Sequence, residues 1–95
     1  MIGGIKKIKV LRGKEAQFET LVDQLQQEVK NKEAGNIYYN LYRSQTSPLH
    51  YVVMERYRDK EALEQHKNSA HGALFFPQIR ELLEELEVEY FESVD

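Results

Sequence analysis

Two neighbouring stretches, residues 37–43 and 49–57, carry apolar or aromatic side chains at both odd and even positions. In the first, Ile37, Tyr39 and Leu41 alternate with Tyr38, Asn40 and Tyr42. In the second, Leu49, Tyr51, Val53, Glu55 and Tyr57 alternate with His50, Val52, Met54 and Arg56. Both read as strands, and Ser44, Gln45, Thr46, Ser47 and Pro48 between them are turn material. Successive strand residues face opposite sides of a sheet. Neither side of this pair is simply polar, so the sheet needs cover on both.

The rest of the chain covers one side. Residues 5–11 read as a lysine-rich strand with Ile8 and Val10 on one face, followed by a turn at Gly13. The spacing of Phe18, Leu21, Val22, Leu25 and Val29 predicts a helix over 14–32, with Gly35 as its stop. Asp59 is a candidate N-cap for a second helix, which is interrupted at 68–72. A last helix is predicted over 73–85, with Pro77 in its first turn and Phe75, Ile79, Leu82 and Leu83 turned inward. Residues 86–94 close the chain as a strand, with Leu86, Val88 and Tyr90 on one side and mostly glutamates on the other.

This order is β-α-β-β-α-β with the second helix broken in two, an α+β, ferredoxin-like unit forming one domain over 1–95. Helices in such a unit cover one face of the sheet. The sheet of a second copy is expected to cover the other, giving a two-fold homodimer. A chain of 95 residues buries a modest share of its surface, which favours self-association further.

Charge and composition exclude several classes of function. The 13 basic and 16 acidic residues leave a net charge of −3. There is no basic excess to neutralise phosphates, and no nucleic-acid partner is expected. Lys6, Lys7, Lys9, Arg12 and Lys14 read as an exposed strand and turn. The chain has no cysteine, which removes thiol nucleophiles, disulfides, iron–sulfur clusters and Cys-type zinc sites. No apolar run suits a signal peptide or a membrane helix, so no membrane contact and a cytoplasmic location are expected. No glycine-rich phosphate loop or dinucleotide fingerprint is present, so no nucleotide cofactor is expected.

His66 is the residue best suited to chemistry. It follows Ala62 by four and Leu63 by three, so all three share one helix face directed at the core. An imidazole there can act as a general base near neutral pH, or sit as a core histidine bonded to Glu55 or to a backbone carbonyl. Glu55, at the end of a strand, is either the group that orients His66 or a salt-bridge or capping residue. Asn36 can bind a substrate oxygen or a developing oxyanion, or serve as a turn residue after Gly35. Tyr39, Tyr57, Phe75 and Phe76 can line an apolar pocket for a flat ring, or form core. His71 follows His66 by five residues across the helix break. With Glu55 the two histidines suggest a two-His-one-carboxylate set, but the spacing is not i, i+4 on one helix and no metal is expected. His71 and Gly72 shape the loop there or sit at a pocket mouth. His50 reads as a surface strand residue.

Several segments together resemble the antibiotic biosynthesis monooxygenase domain: Gly35 through Tyr42, Val52 through Tyr57, Asp59 through His66, and Ser69-Ala70-His71. The likeness covers nearly the whole chain and keeps the order of elements. It implies a dimeric α+β barrel with a pocket in each subunit between sheet and helices. Members of the family include cofactor-independent oxygenases of quinols and anthrones, heme-degrading enzymes and an isomerase of a phosphorylated autoinducer sugar. The family often has tryptophan after Glu-Arg, where this chain has Tyr57. In the heme-degrading members, tryptophan stands near the position of His66 and the iron-binding histidine falls where this chain has Phe75 and Phe76. Both differences run against heme.

The expectation is therefore a cofactor-independent monooxygenase acting on a quinol-like or polyphenolic small molecule. His66 would be the base, assisted by Asn36 and Glu55, in a pocket of Tyr39, Tyr57, His71, Phe75 and Phe76. The alternatives are a non-catalytic dimer that binds a small aromatic and an isomerase that shuttles a proton with the same histidine.

Overall fold

The computed structural model describes residues 1–95. Its elements are β1 (Ile2–Val10), α1 (Glu15–Lys32), β2 (Asn36–Arg43), β3 (His50–Tyr57), α2 (Lys60–Lys67), α3 (Ala70–Arg80) and β4 (Leu83–Glu92). The strands form one antiparallel sheet in the order β2-β3-β1-β4. This is the ferredoxin-like α+β fold expected from the element order.

All three helices lie on one side of the sheet. Phe18, Val22, Leu25 and Val29 of α1 are buried against Ile8 and Val10 of β1, Tyr39 of β2, and Tyr51 and Val53 of β3. The other sheet face carries Tyr38, Tyr42 and Met54, each at least 40% exposed. Here β2 and β3 pair Asn40 with Met54 and Tyr42 with Val52. The two-sided apolar pattern thus becomes one covered face and one open face.

β1 starts at Ile2 rather than Ile5, and three further departures from the sequence reading each have a local reason. β2 and β3 pair Asn36 with Tyr57 but Tyr38 with Arg56, so Ile37 is the extra residue of a bulge. Ile37 is 52% exposed and does not share the buried face of Tyr39. The helix predicted over 73–85 begins at Ala70 and ends at Arg80, and Pro77 lies inside it rather than in its first turn. The Ser69 hydroxyl accepts from the Gly72 N–H at 3.0 Å, a side-chain cap that starts the helix early. The final strand starts at Leu83 rather than Leu86, because β1 is long enough to pair Val10 with Leu83.

Gly35 sets where α2 sits. A Cβ built on Gly35 would lie 2.4 Å from the Ala62 Cβ. Only glycine lets the turn before β2 reach α2 this closely. Asp59 caps α2 as expected, accepting from the Ala62 N–H at 2.8 Å.

Candidate active site

The second and third helices are separated by Asn68 and Ser69, and this break brings together residues that one helix would hold apart. Residues five apart on a continuous helix point about 140° from each other. Here His66 ends α2, His71 begins α3, and both reach one carboxylate, that of Glu33. Glu33 is the C-cap residue of α1. Its Oε2 lies 2.9 Å from His66 Nδ1 and 2.5 Å from His71 Nε2. All three side chains are buried, at 7% exposure or less. Ser69 holds the break by donating its hydroxyl to the His66 carbonyl at 2.8 Å.

A carboxylate has no proton to give, so the ring nitrogens donate to it. His66 therefore carries its proton on Nδ1, and the lone pair is left on Nε2. That Nε2 is buried and has no hydrogen-bond partner. A buried polar atom without a partner costs about 1–3 kcal/mol. His66 is also among the residues that line a cavity.

The cavity has a volume of about 300 Å³ and lies between the helices, β1 and β4. Twelve of its 16 lining residues are hydrophobic. His66, Tyr39, Phe76 and Lys6 form its polar and aromatic end. The His66 ring packs 5.6 Å from Tyr39, 5.2 Å from Tyr57 and 5.3 Å from Phe76, centroid to centroid. Lys6 Nζ stands 5.6 Å from the centroids of both Tyr39 and Phe76, within cation–π range. It lies 3.2 Å from Glu55 Oε2, close enough for an ion pair though off the hydrogen-bonding direction. Tyr57 donates its hydroxyl to the other Glu55 oxygen at 3.1 Å.

Burial lowers the His66 pKa from its ordinary 6.5 by disfavouring the charged ring. The hydrogen bond and charge of Glu33 push the other way without overcoming it. Burial, then the charge of Glu55, drives Tyr39 and Tyr57 far above the ordinary tyrosine value of 10.0. Both keep their protons near neutrality, and His66 is left as the neutral acceptor.

His66, Tyr39 and Phe76 line the cavity. Tyr57 is fully buried behind the His66 ring. Phe75 packs against the main core, and His71 stands behind Glu33. Glu55 bonds Tyr57 and pairs with Lys6, so the partner expected for His66 is replaced by Glu33. Asn36 lies apart from this cavity. It borders a separate depression with Ile37 and Tyr38, and its amide donates to the Tyr38 carbonyl at 3.0 Å. His71, expected in a loop or at the pocket mouth, is on α3 and 8% exposed.

Two residues of the site were missed. Glu33 carries no local signal, because its partners are 33 and 38 residues away. Lys6 was read as surface, yet its side chain is only 17% exposed. The signal was available: Lys6, Ile8 and Val10 alternate onto one strand face.

Glu33, His66 and His71 are the residues with the chemistry to hold a metal, since their donor atoms lie within 4.8 Å of one another. Neighbouring donors on a tetrahedral ion with bonds near 2.0 Å stand about 3.3 Å apart. The Glu33 contacts to both rings are tighter than that, so the cluster as folded is a hydrogen-bonded triad.

The sequence profile of the antibiotic biosynthesis monooxygenase family matches residues 1–77. No curated protein matches the chain. Among solved structures, a conserved protein from Methanosarcina mazei Go1 is 30% identical, covering 97% of this chain and 91% of its own, with a TM-score of 0.89. A protein from Caulobacter crescentus CB15, assigned provisionally to the antibiotic biosynthesis monooxygenases, is 29% identical over 99% of this chain and 90% of its own, with a TM-score of 0.94. Rv0793 from Mycobacterium tuberculosis is 26% identical over 99% of this chain and 95% of its own, with a TM-score of 0.90.

Proposed function

This chain belongs to the antibiotic biosynthesis monooxygenase family, and we propose that it is a monooxygenase that oxidises a quinol-like or polyphenolic small molecule without a cofactor, with His66 as general base. The observation that carries this reading is the buried, unpartnered Nε2 of His66, a residue that lines a mostly apolar cavity.

In this reading a phenolic hydroxyl gives its proton to Nε2, and Glu33 stabilises the resulting imidazolium through Nδ1. The electron-rich anion is then oxidised by dioxygen. A C–O bond forms to give a hydroperoxide, the O–O bond breaks, one oxygen stays on carbon and the other leaves as water. A quinol converted to a hydroxyquinone supplies all four electrons, so no outside reductant is needed. The apolar walls strengthen the field of Lys6 on the developing anion. Lys6 takes the anion-binding role first expected of Asn36.

The open sheet face supports a homodimer in which a second copy covers Tyr38, Tyr42 and Met54. Each subunit would keep its own cavity, which lies on the helix side.

The test is oxygen uptake with model quinols. Wild type consumes oxygen in step with substrate, and His66→Ala is slower by about 10²-fold or more. Equal rates would remove His66 from the reaction. Ligand that binds and returns unchanged, with no oxygen consumed by wild type, would leave a binding protein instead.

A further inference from the structure

The cavity has a polarity of its own, and the net charge of the chain runs opposite to it. The basic residues that line it are His66, Lys6, Lys67 and Arg80, its two tyrosines Tyr39 and Tyr90 keep their protons near neutrality, and no carboxylate residue lines it. The chain as a whole has 16 acidic residues against 13 basic. Its acids are sorted away from the cavity by the register of β4. Leu86 and Val88 pair with Ile8 and Lys6 and share their face, whereas Glu85, Glu87 and Glu89 pair with Lys9, Lys7 and Ile5 on the far face.

The four basic groups also differ in depth and in occupation. His66 is 1% exposed, and Lys6 is already paired with Glu55. Arg80 and Lys67 are exposed, at the ends of α3 and α2. Arg80 has no side-chain hydrogen bond or ion pair. Lys67 reaches Glu64 only at 3.7 Å, and its Nζ lies 4.6 Å from the Tyr90 ring centroid. The deep end therefore offers a hydrogen-bond acceptor between aromatic walls, and the mouth offers a free guanidinium beside an ammonium. A guanidinium is the group best shaped for a planar carboxylate.

We infer that the ligand of this cavity is a hydroxylated aromatic carboxylate, its hydroxyl at His66 and its carboxylate at the mouth against Arg80 and Lys67. This rests on the proposed use of His66 and narrows the substrate class beyond a neutral quinol. The acidic group stays partly in water, so its desolvation cost is small. The two ends fix which hydroxyl of a polyphenol meets the base. Entry carboxylate-first would set a full anion against the lone pair of His66, beside a Lys6 already paired with Glu55, and remove it from water, which is unfavourable.

The experiment is titration calorimetry under nitrogen with two probes: naphthol, and a hydroxynaphthoate whose two groups stand at opposite ends of the rings. The hydroxynaphthoate is expected to bind wild type about fivefold more tightly at low salt, the size of one exposed ion pair. The ratio should fall towards one in Arg80→Gln and in about 0.5 M salt. Reading a ratio within each variant removes any general loss of packing, which weakens both probes. Naphthol binding as tightly as hydroxynaphthoate to wild type, a ratio unchanged in Arg80→Gln, or no binding of either probe would each overturn the inference. No oxygen enters this measurement, so its failure is separate from a failure of His66 in the oxygen-uptake test.

Discussion

Glu33 accepts a hydrogen bond from Nδ1 of His66 at 2.9 Å, across 33 residues of sequence. That one contact decides which nitrogen of the ring is free. Replacing the carboxylate by an amide keeps the size and removes the demand for a proton on Nδ1. In Glu33→Gln the ring is expected to lose its fixed tautomer and its stabilised imidazolium. Turnover with quinols should fall about 10²-fold while KM changes little. Steady-state kinetics beside an unchanged circular-dichroism spectrum checks this. A fall in KM-dependent binding alone would place Glu33 in packing instead.

The lowered pKa of His66 sets the pH behaviour. In the proposed reaction the neutral ring is the base, so kcat/KM is expected to be level above about 6.5 and to decline on the acid side, through the lowered native value. Stability follows the same sign. The native ring takes up a proton less readily than the unfolded one, so its contribution is full above about 6.5 and is lost as pH falls through the native pKa. Melting temperatures measured between about pH 7 and 5 should drop more steeply for wild type than for His66→Gln. Parallel curves would show that other groups govern the acid limb.

Gly35→Ala tests how α2 is seated. The added methyl would meet the Ala62 Cβ at 2.4 Å, and the helix carrying His66 must move outward. A loss of about 1–3 kcal/mol is expected, read as a melting temperature lower by several degrees. Gly13→Ala is the comparison, because Gly13 has open space around it and a φ of 87°. Its cost is backbone strain in a turn remote from His66, so it should destabilise without slowing turnover.

Met54→Glu tests the open sheet face. Met54 is 41% exposed beside Val52 and Arg56 on β3. If a second copy covers this face, a charge there is expected to convert dimer to monomer, seen by light scattering coupled to size exclusion. Wild type eluting as a monomer, or a dimer untouched by the substitution, would place any interface elsewhere.

The order of elements was legible because each depends on neighbours in sequence. The stripe from Phe18 to Val29 and the Asp59 cap are local signals, and both hold. The inward histidine was legible for the same reason, since Ala62, Leu63 and His66 share one turn of helix and all are buried. The group that orients it was not. Glu55, at the end of the strand before α2, is the acid the sequence offers for that service, but its carboxylate is taken by Tyr57 and Lys6. The acid that reaches the ring is set by how the end of α1 meets α2, which no periodicity encodes. The bulge at Ile37 and the early start of α3 escaped for a related reason. The first rests on one residue's backbone geometry and the second on one side-chain cap, neither of which a hydrophobic pattern records.

The break at Asn68 and Ser69 ties reactivity to assembly. Glu33, His66 and His71 come from three separate helical segments, so detaching any one of them scatters the group. A nascent or partly melted chain holds an ordinary solvated imidazole with no carboxylate behind it. If His66 is the base proposed above, activity belongs only to molecules that have finished folding.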